Sequence, residues 1–227
     1  GRSADVVRWC ADHDAIVTLG NHDLHMLAVW TGGREARKRD DFLDVLEAPD
    51  ANELTQWLLG SPLTYHLADH DVLVVHAGIL PSWTVREAIA IGCEVELLLQ
   101  DFEDPKMFFE DMYGNKPARW NDGRKGASRY RCAINALTRM RILNKKEKME
   151  FDFSSVYKEI PKKWCAWFDH HGRKDRDTTV VFGHWSALGV RKFKKANVVC
   201  LDGGVRWGRE LAAMRVEDRK IVKVSAA

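Results

Sequence analysis

The chain has 227 residues, of which 35 are basic and 33 acidic, for a formal net charge of +2. That length fits one domain, or one domain with a sizeable insertion. The near-balanced charge argues against nucleic acid or an anionic membrane as a partner, and no apolar run approaches the roughly 18 residues of a membrane-spanning helix.

In chain order, Ser3 is a candidate N-cap for a helix over residues 4–13, with Val6, Val7 and Cys10 at core spacing. Residues 15–19 form a short apolar run of strand type ending at Gly20, followed at once by Asn21-His22-Asp23. Helical patterns follow at 24–31, 40–47 and 51–60. A second strand, Val72-Leu73-Val74-Val75, ends at His76-Ala77-Gly78. Between about 84 and 170 helical segments dominate, for example 102–112 and 129–143, and predict a helical cap inserted over a sheet. A third strand at 178–182 ends at Gly183-His184, and a fourth at 198–201 ends at Asp202-Gly203-Gly204. The residues around Glu217-Asp218-Arg219-Lys220 predict a closing hairpin. The Lys-rich stretches 145–148 and 191–195 are expected to be solvated loops, and His170-His171 to lie on the surface. The five cysteines, at 10, 93, 132, 165 and 200, are widely spaced and lack a C-x-x-C pair. They predict reduced, mostly buried thiols in a cytoplasmic compartment.

Short apolar strands ending in Gly-bearing polar turns are how an open α/β sheet delivers functional groups to one edge. Asn21, His22, His76 and His184 all sit at such ends. An amide oxygen and neutral imidazoles suit a borderline divalent ion such as manganese, iron or zinc. For each histidine alone, a hydrogen-bonded core position is the plainer alternative. Asp23 either orients His22 or caps the helix that follows. Asp202 either tunes a neighbouring histidine or shapes its own turn.

The stretches Gly20-Asn21-His22-Asp23, Val75-His76-Ala77-Gly78 and Gly183-His184-Trp185 resemble the ordered motifs of the calcineurin-like metallophosphoesterases. Longer stretches resemble the symmetrical diadenosine tetraphosphatases, the ApaH type, within that superfamily. They include Leu46-Glu47-Ala48-Pro49-Asp50-Ala51, Thr138-Arg139-Met140-Arg141 and Leu201-Asp202-Gly203-Gly204. The resemblance runs from residue 3 to the final hairpin. It implies an α/β sandwich of two mixed β-sheets flanked by helices, a single metallophosphoesterase domain over 1–227 with the cap at about 84–170. It also implies two divalent metal ions (manganese, cobalt, iron or zinc) and hydrolysis of diadenosine tetraphosphate to two ADP. By the same resemblance Asn21, His76 and His184 ligate one metal, and His22, with Asp23 beside it, acts on the leaving group. Arg139 and Arg141 are candidates to hold non-reacting phosphates; two apart on the expected cap helix they do not share a face, so one, with Arg139 preferred, is expected to point into the site and the other to serve structure. Trp185, Trp207 and Tyr113 are candidates to stack an adenine, with core packing as the alternative.

The family carries two earlier motifs, G-D-x-H-G and G-D-x-x-x-R-G, which supply the ligands of the other metal and a bridging carboxylate. Neither occurs in this sequence. The expectation is an N-terminally truncated member whose sheet lacks its first strands, with at most one partial metal site. Two alternatives follow: a nucleotide-binding remnant without turnover, or a phosphoprotein phosphatase of the same superfamily.

Overall fold

The structure, a computed structural model, describes residues 2–101 and 105–226. The elements begin with α1 (Ser3–Asp12), α2 (Asn21–Trp30), α3 (Leu43–Leu46) and α4 (Ala51–Leu59). Strands β1 (Thr64–Leu67) and β2 (Val72–Val75) follow, then α5 (Val85–Asp101), α6 (Pro105–Met112) and α7 (Ala127–Arg139). After these come β3 (Ile142–Asn144), β4 (Met149–Glu150), β5 (Trp164–Ala166) and β6 (Thr179–Phe182). The chain ends with β7 (Arg191–Phe193), β8 (Val198–Cys200), β9 (Glu210–Met214) and β10 (Ile221–Ser225).

The main sheet has five strands in the order β1-β2-β6-β8-β7. Its central three strands are parallel, and each edge strand runs antiparallel to its neighbour. Successive side chains of a strand point to opposite faces, and here both faces are apolar. Leu73, Val75, Val180, Phe182, Val198 and Cys200 face the large helical core. Val72, Val181 and Val199 face a smaller cluster with Met214, Val216 and Ile221 of the β9–β10 hairpin. Strands covered on both faces are continuous apolar runs rather than alternating ones, which is why these three were legible in the sequence.

Several expectations are corrected. Ser3 is the first helical residue of α1 and not its cap: its Oγ donates to the Asp41 carbonyl at 2.9 Å, while the Ala4 amide donates to Asp44 Oδ2 at 3.2 Å. Ala4 is the buried residue of that helix, and Val6 is 59% exposed. Residues 15–19 form no strand. Their ladder-like contact is a single bond from the Leu19 amide to the Pro62 carbonyl, 2.8 Å, and Ile16 faces solvent. The helix expected at 40–47 is only the short α3. That at 129–143 stops at Arg139, because Met140 turns extended (ψ 134°) to start β3, whose Ile142 and Leu143 are buried. The segment between β2 and β6 therefore carries three helices and a three-stranded sheet, β4-β3-β5, rather than helices alone. Part of the helix expected at 102–112 lies outside the described residues. Residues 191–193 are an edge strand, where lysine and arginine blunt an open edge. His170 is buried, its Nε2 donating to the Lys145 carbonyl and its Nδ1 accepting from the Gly172 amide, whereas His171 is exposed. All five cysteines are free thiols; Cys132 and Cys200 are buried, but Cys93 is exposed. Among the described residues no helix is long and apolar enough to cross a membrane.

The turn after β2 is fixed by packing. A Cβ added at Gly78 would lie 2.6 Å from the indole of Trp167, which is fully buried. Gly78→Ala therefore overpacks the core directly behind His76. Its expected effect is a loss of about 1–3 kcal/mol of stability, read as a lowered midpoint in thermal or urea unfolding. An unchanged midpoint would show that Trp167 can move aside.

Candidate functional site

Asn21 opens α2 and His22 follows it. The chain enters this helix through Gly20 in an extended conformation (φ −102°, ψ 176°), and the Gly20 amide donates to Asp23 Oδ2 at 2.7 Å. Asp23 thus closes the first turn of its own helix. Burial pushes its carboxyl pKa up, against the Gly20 hydrogen bond and nearby His22, which pull it down. Gly20 has no room for a side chain: a Cβ there would lie 2.4 Å from the His76 ring.

His76 leaves the end of β2 and its Nε2 lies 3.1 Å from Asn21 Oδ1. Burial of the ring, with His22 and Arg141 adding repulsion, lowers its pKa to about 4, so it is neutral. His184 leaves the end of the neighbouring β6 in the left-handed region, φ +61°, a conformation that is strained for a residue with a side chain. Its Nε2 donates to the Arg139 carbonyl at 3.0 Å, which places the lone pair on Nδ1. Its pKa also lies well below the ordinary value, through burial first and then the charge of Arg141. The two imidazoles are 5.2 Å apart, centroid to centroid.

The structure therefore brings Asn21, His76 and His184 together. Two ligands at about 2.0–2.2 Å from one ion and at right angles stand about 3 Å apart, which matches the Asn21–His76 separation of 3.1 Å. The donors are neutral nitrogen and amide oxygen, the chemistry a borderline dication accepts. They fit one divalent ion. Among the described residues no cluster of three or more His, Cys, Asp or Glu is placed to hold a metal ion.

Beside these donors lies a cavity of about 430 Å³, lined by Asn21, His22, His25, Arg37, Tyr113 and Arg139 among others. Arg139 reaches it from the last turn of α7. Its Nη1 donates to Asn135 Oδ1 at 2.8 Å and its Nη2 to Asn115 Oδ1 at 3.0 Å. Arg141 does not share that helix. Its Nη2 donates to the His184 carbonyl at 3.2 Å and its buried Nε has no partner. Of the three aromatics, Tyr113 lines the cavity. Trp185 is buried with its Nε1 donating to the Ser155 carbonyl at 2.8 Å, and Trp207 is largely exposed. Asp202 Oδ1 accepts from the Gly204 amide at 3.0 Å and so shapes its own turn.

Three cavity residues, His25, Asp40 and Arg37, escaped sequence reasoning. Tyr113 donates to His25 Nδ1 at 2.5 Å, and His25 Nε2 donates to Asp40 Oδ2 at 3.2 Å. The Arg37 amide holds the same Asp40 oxygen at 2.7 Å. His25 lies one helical turn beyond His22, a spacing that was the available signal. Arg206, from the loop after β8, approaches the exposed His22 ring.

An asparagine and two histidines converging from a helix start and two parallel strand ends, below a layered α/β frame, define the class: a calcineurin-like metallophosphoesterase fold. No family model matches the chain. It is 41% identical over 224 residues to the symmetrical bis(5'-nucleosyl)-tetraphosphatase of Methylobacillus flagellatus, across 98% of this chain and 79% of that one. To the protein of the same name from Bordetella pertussis it is 45% identical over 210 residues, across 91% and 73%. The crystal structure of a candidate diadenosine tetraphosphatase superposes with a TM-score of 0.60 at 20% identity, across 98% of this chain and 73% of that one. The chain belongs to the symmetrical bis(5'-nucleosyl)-tetraphosphatase family.

The His25 network yields a pH prediction. Burial, ahead of the opposing pull of Asp40, lowers the His25 pKa below 6.5. A base with a depressed folded pKa contributes stability that is fully present above its unfolded pKa and is lost as pH falls. The urea midpoint should therefore drop as pH is taken from about 7.5 to about 5.5, and the drop should shrink in His25→Gln. Equal slopes in both proteins would count against a neutral buried His25.

Proposed function

We propose that this site hydrolyses diadenosine tetraphosphate symmetrically, to two ADP, with the help of a divalent metal ion. The convergence of Asn21, His76 and His184 beside a cavity that holds Arg139 is the observation that carries the reading. The relatives named above lend it support through their printed activity.

Asn21 Oδ1, His76 and Nδ1 of His184 would hold the ion. When bound, it would polarise a phosphoryl oxygen and lower the pKa of a water nucleophile. The remaining work falls to this chain's own side chains. His22, exposed at the start of α2, is free to give a proton to the departing phosphate oxygen. Asp23 serves it indirectly, by fixing the turn from which it projects. Arg139 presents its guanidinium to the cavity for the non-reacting phosphates. Arg141 acts as a positioning residue through the His184 carbonyl. Tyr113, backed by the Arg34 guanidinium 4.2 Å from its ring centroid, offers a wall for a base. The insertion between β2 and β6, which supplies Tyr113 and Arg139, is the cap that closes this side. A second reading is nucleotide binding without turnover, with the cavity and Arg139 holding the dinucleotide.

The test is ADP release from diadenosine tetraphosphate with manganese or cobalt, against the same protein treated with chelator. The expected result is metal-dependent release, lowered about 10²–10⁴-fold in kcat by His22→Ala. Binding of the dinucleotide without ADP release would select the second reading. Release that is unchanged in His22→Ala would remove the role given to that residue.

A further inference from the structure

Among the cations around the site, Arg206 has no part in the mechanism above and no counterpart in the motifs that located it. It sits in a short turn (Val205–Trp207) bracketed by Gly204 and Gly208, both left-handed at φ +75° and +71°. Such a bracket lets the chain reverse tightly and present the central side chain outward. The guanidinium is then held from a distant part of the chain. Its Nε pairs with Asp41 Oδ2 at 3.1 Å, and its Nη2 donates to the Arg39 carbonyl at 3.5 Å.

The remaining nitrogen, Nη1, is aimed at His22 and lies 3.4 Å from both Nδ1 and Nε2 of the ring. Good N–H donors approach their acceptors to about 2.7–3.2 Å. Equal, long separations from two ring atoms mean that Nη1 makes no strong bond to either. Its donor capacity is unspent. A half-exposed ion pair such as Arg206–Asp41 contributes little to stability, of order 0–1 kcal/mol. What the pair does supply is orientation: Nε is tied back to Asp41, and Nη1 is left at the edge of the imidazole. A guanidinium fixed in this way is suited to phosphate oxygens.

We propose that Arg206 is a phosphate-binding residue that takes a non-bridging oxygen of the polyphosphate beside His22, with Asp41 as the positioning residue that aims it. The inference rests on the reading of the site as a dinucleoside polyphosphate site. It adds a contact on the loop after β8, while Arg139 reaches the cavity from the cap helix α7. The substrate chain would then meet cations delivered by two separate elements, with His22 in contact with both the cavity and Arg206.

The experiment is equilibrium binding of a methylene-bridged, non-hydrolysable diadenosine tetraphosphate in the presence of manganese, at low and high salt, together with thermal unfolding. Arg206→Ala is expected to weaken binding about tenfold at low salt and by less at high salt, as screening predicts. Its unfolding midpoint should stay that of the wild type. Arg206→Lys should recover part of the loss, and Asp41→Asn should fall between. Arg215→Ala, on the closing hairpin, should bind as the wild type does. Wild-type affinity in Arg206→Ala, with ADP release still metal-dependent, overturns this proposal alone. So does a loss that Arg206→Lys does not relieve and that comes with a lowered midpoint, since that marks a packing contact. Failure of the wild type to bind the dinucleotide at all overturns both this proposal and the reading of the site.

Discussion

The backbone hydrogen bond from the Gly183 amide to the His76 carbonyl, 2.9 Å long, carries the β2–β6 pairing one residue past the ends of the two strands. Val75 pairs with Phe182 in parallel register, and that register sets His76 and His184 side by side. A slip of one residue would send one histidine to the opposite face of the sheet. The register is protected because both faces are buried: Val75 and Phe182 belong to the large core, Val181 and Val199 to the smaller one. The geometry of the donors is therefore a consequence of sheet packing, and not of the donors themselves. Asn21 joins them from a helix start, and only because Gly20 leaves the His76 ring space to lie against the backbone.

The charge arrangement around this point is uneven. His76 and His184 are neutral because they are buried and because Arg141 lies near both. Arg139 and Arg141 are themselves held below their ordinary pKa by burial. The nearest partners of their guanidinium groups are amide and carbonyl oxygens, not carboxylates. Cations without paired anions are costly in the free protein. Their positions become favourable when a polyanion arrives, which is how a preorganised site stores binding energy. The Asp40 carboxylate is the exception at the cavity edge, and it is occupied by His25 and by the Arg37 amide.

Much of the donor set was legible because its signals are local. Short apolar runs followed by Gly and a polar residue mark the ends of β2, β6 and β8 without knowledge of their neighbours. What sequence missed depends on pairing or on distant contacts. Residues 15–19 have the composition of a strand, but a strand needs a ladder; the Ala15 amide bonds back to the Cys10 carbonyl of α1 and the Leu19 amide to the Pro62 carbonyl, and no strand pairing forms. β1 and β7 are edge strands with polar residues interspersed, so their apolar pattern is weak. β3, β4 and β5 are two or three residues long, below the length at which periodicity can be seen. Arg206 and His22 are 184 residues apart, and no local pattern joins them. Asp23 had two open roles in sequence, and its bond from the Gly20 amide forms only once the turn before α2 is in place.

The break of α7 at Met140 shows how one backbone change divides two similar residues. Had the helix continued, Arg139 and Arg141 would have pointed about 200° apart on one rod. Instead Arg139 ends the helix and turns its side chain to the cavity, while its carbonyl accepts from His184 Nε2. Arg141 enters the β3 segment and donates to the His184 carbonyl. His184 is thus held on both sides by consecutive parts of the same connection. Its left-handed backbone carries a strain of about 1–3 kcal/mol, and two hydrogen bonds of about 0.5–1.5 kcal/mol each offset that strain. The Nε2 bond also fixes the ring's tautomer and direction, so the end of the cap helix decides which nitrogen of a strand-end histidine is available to a ligand.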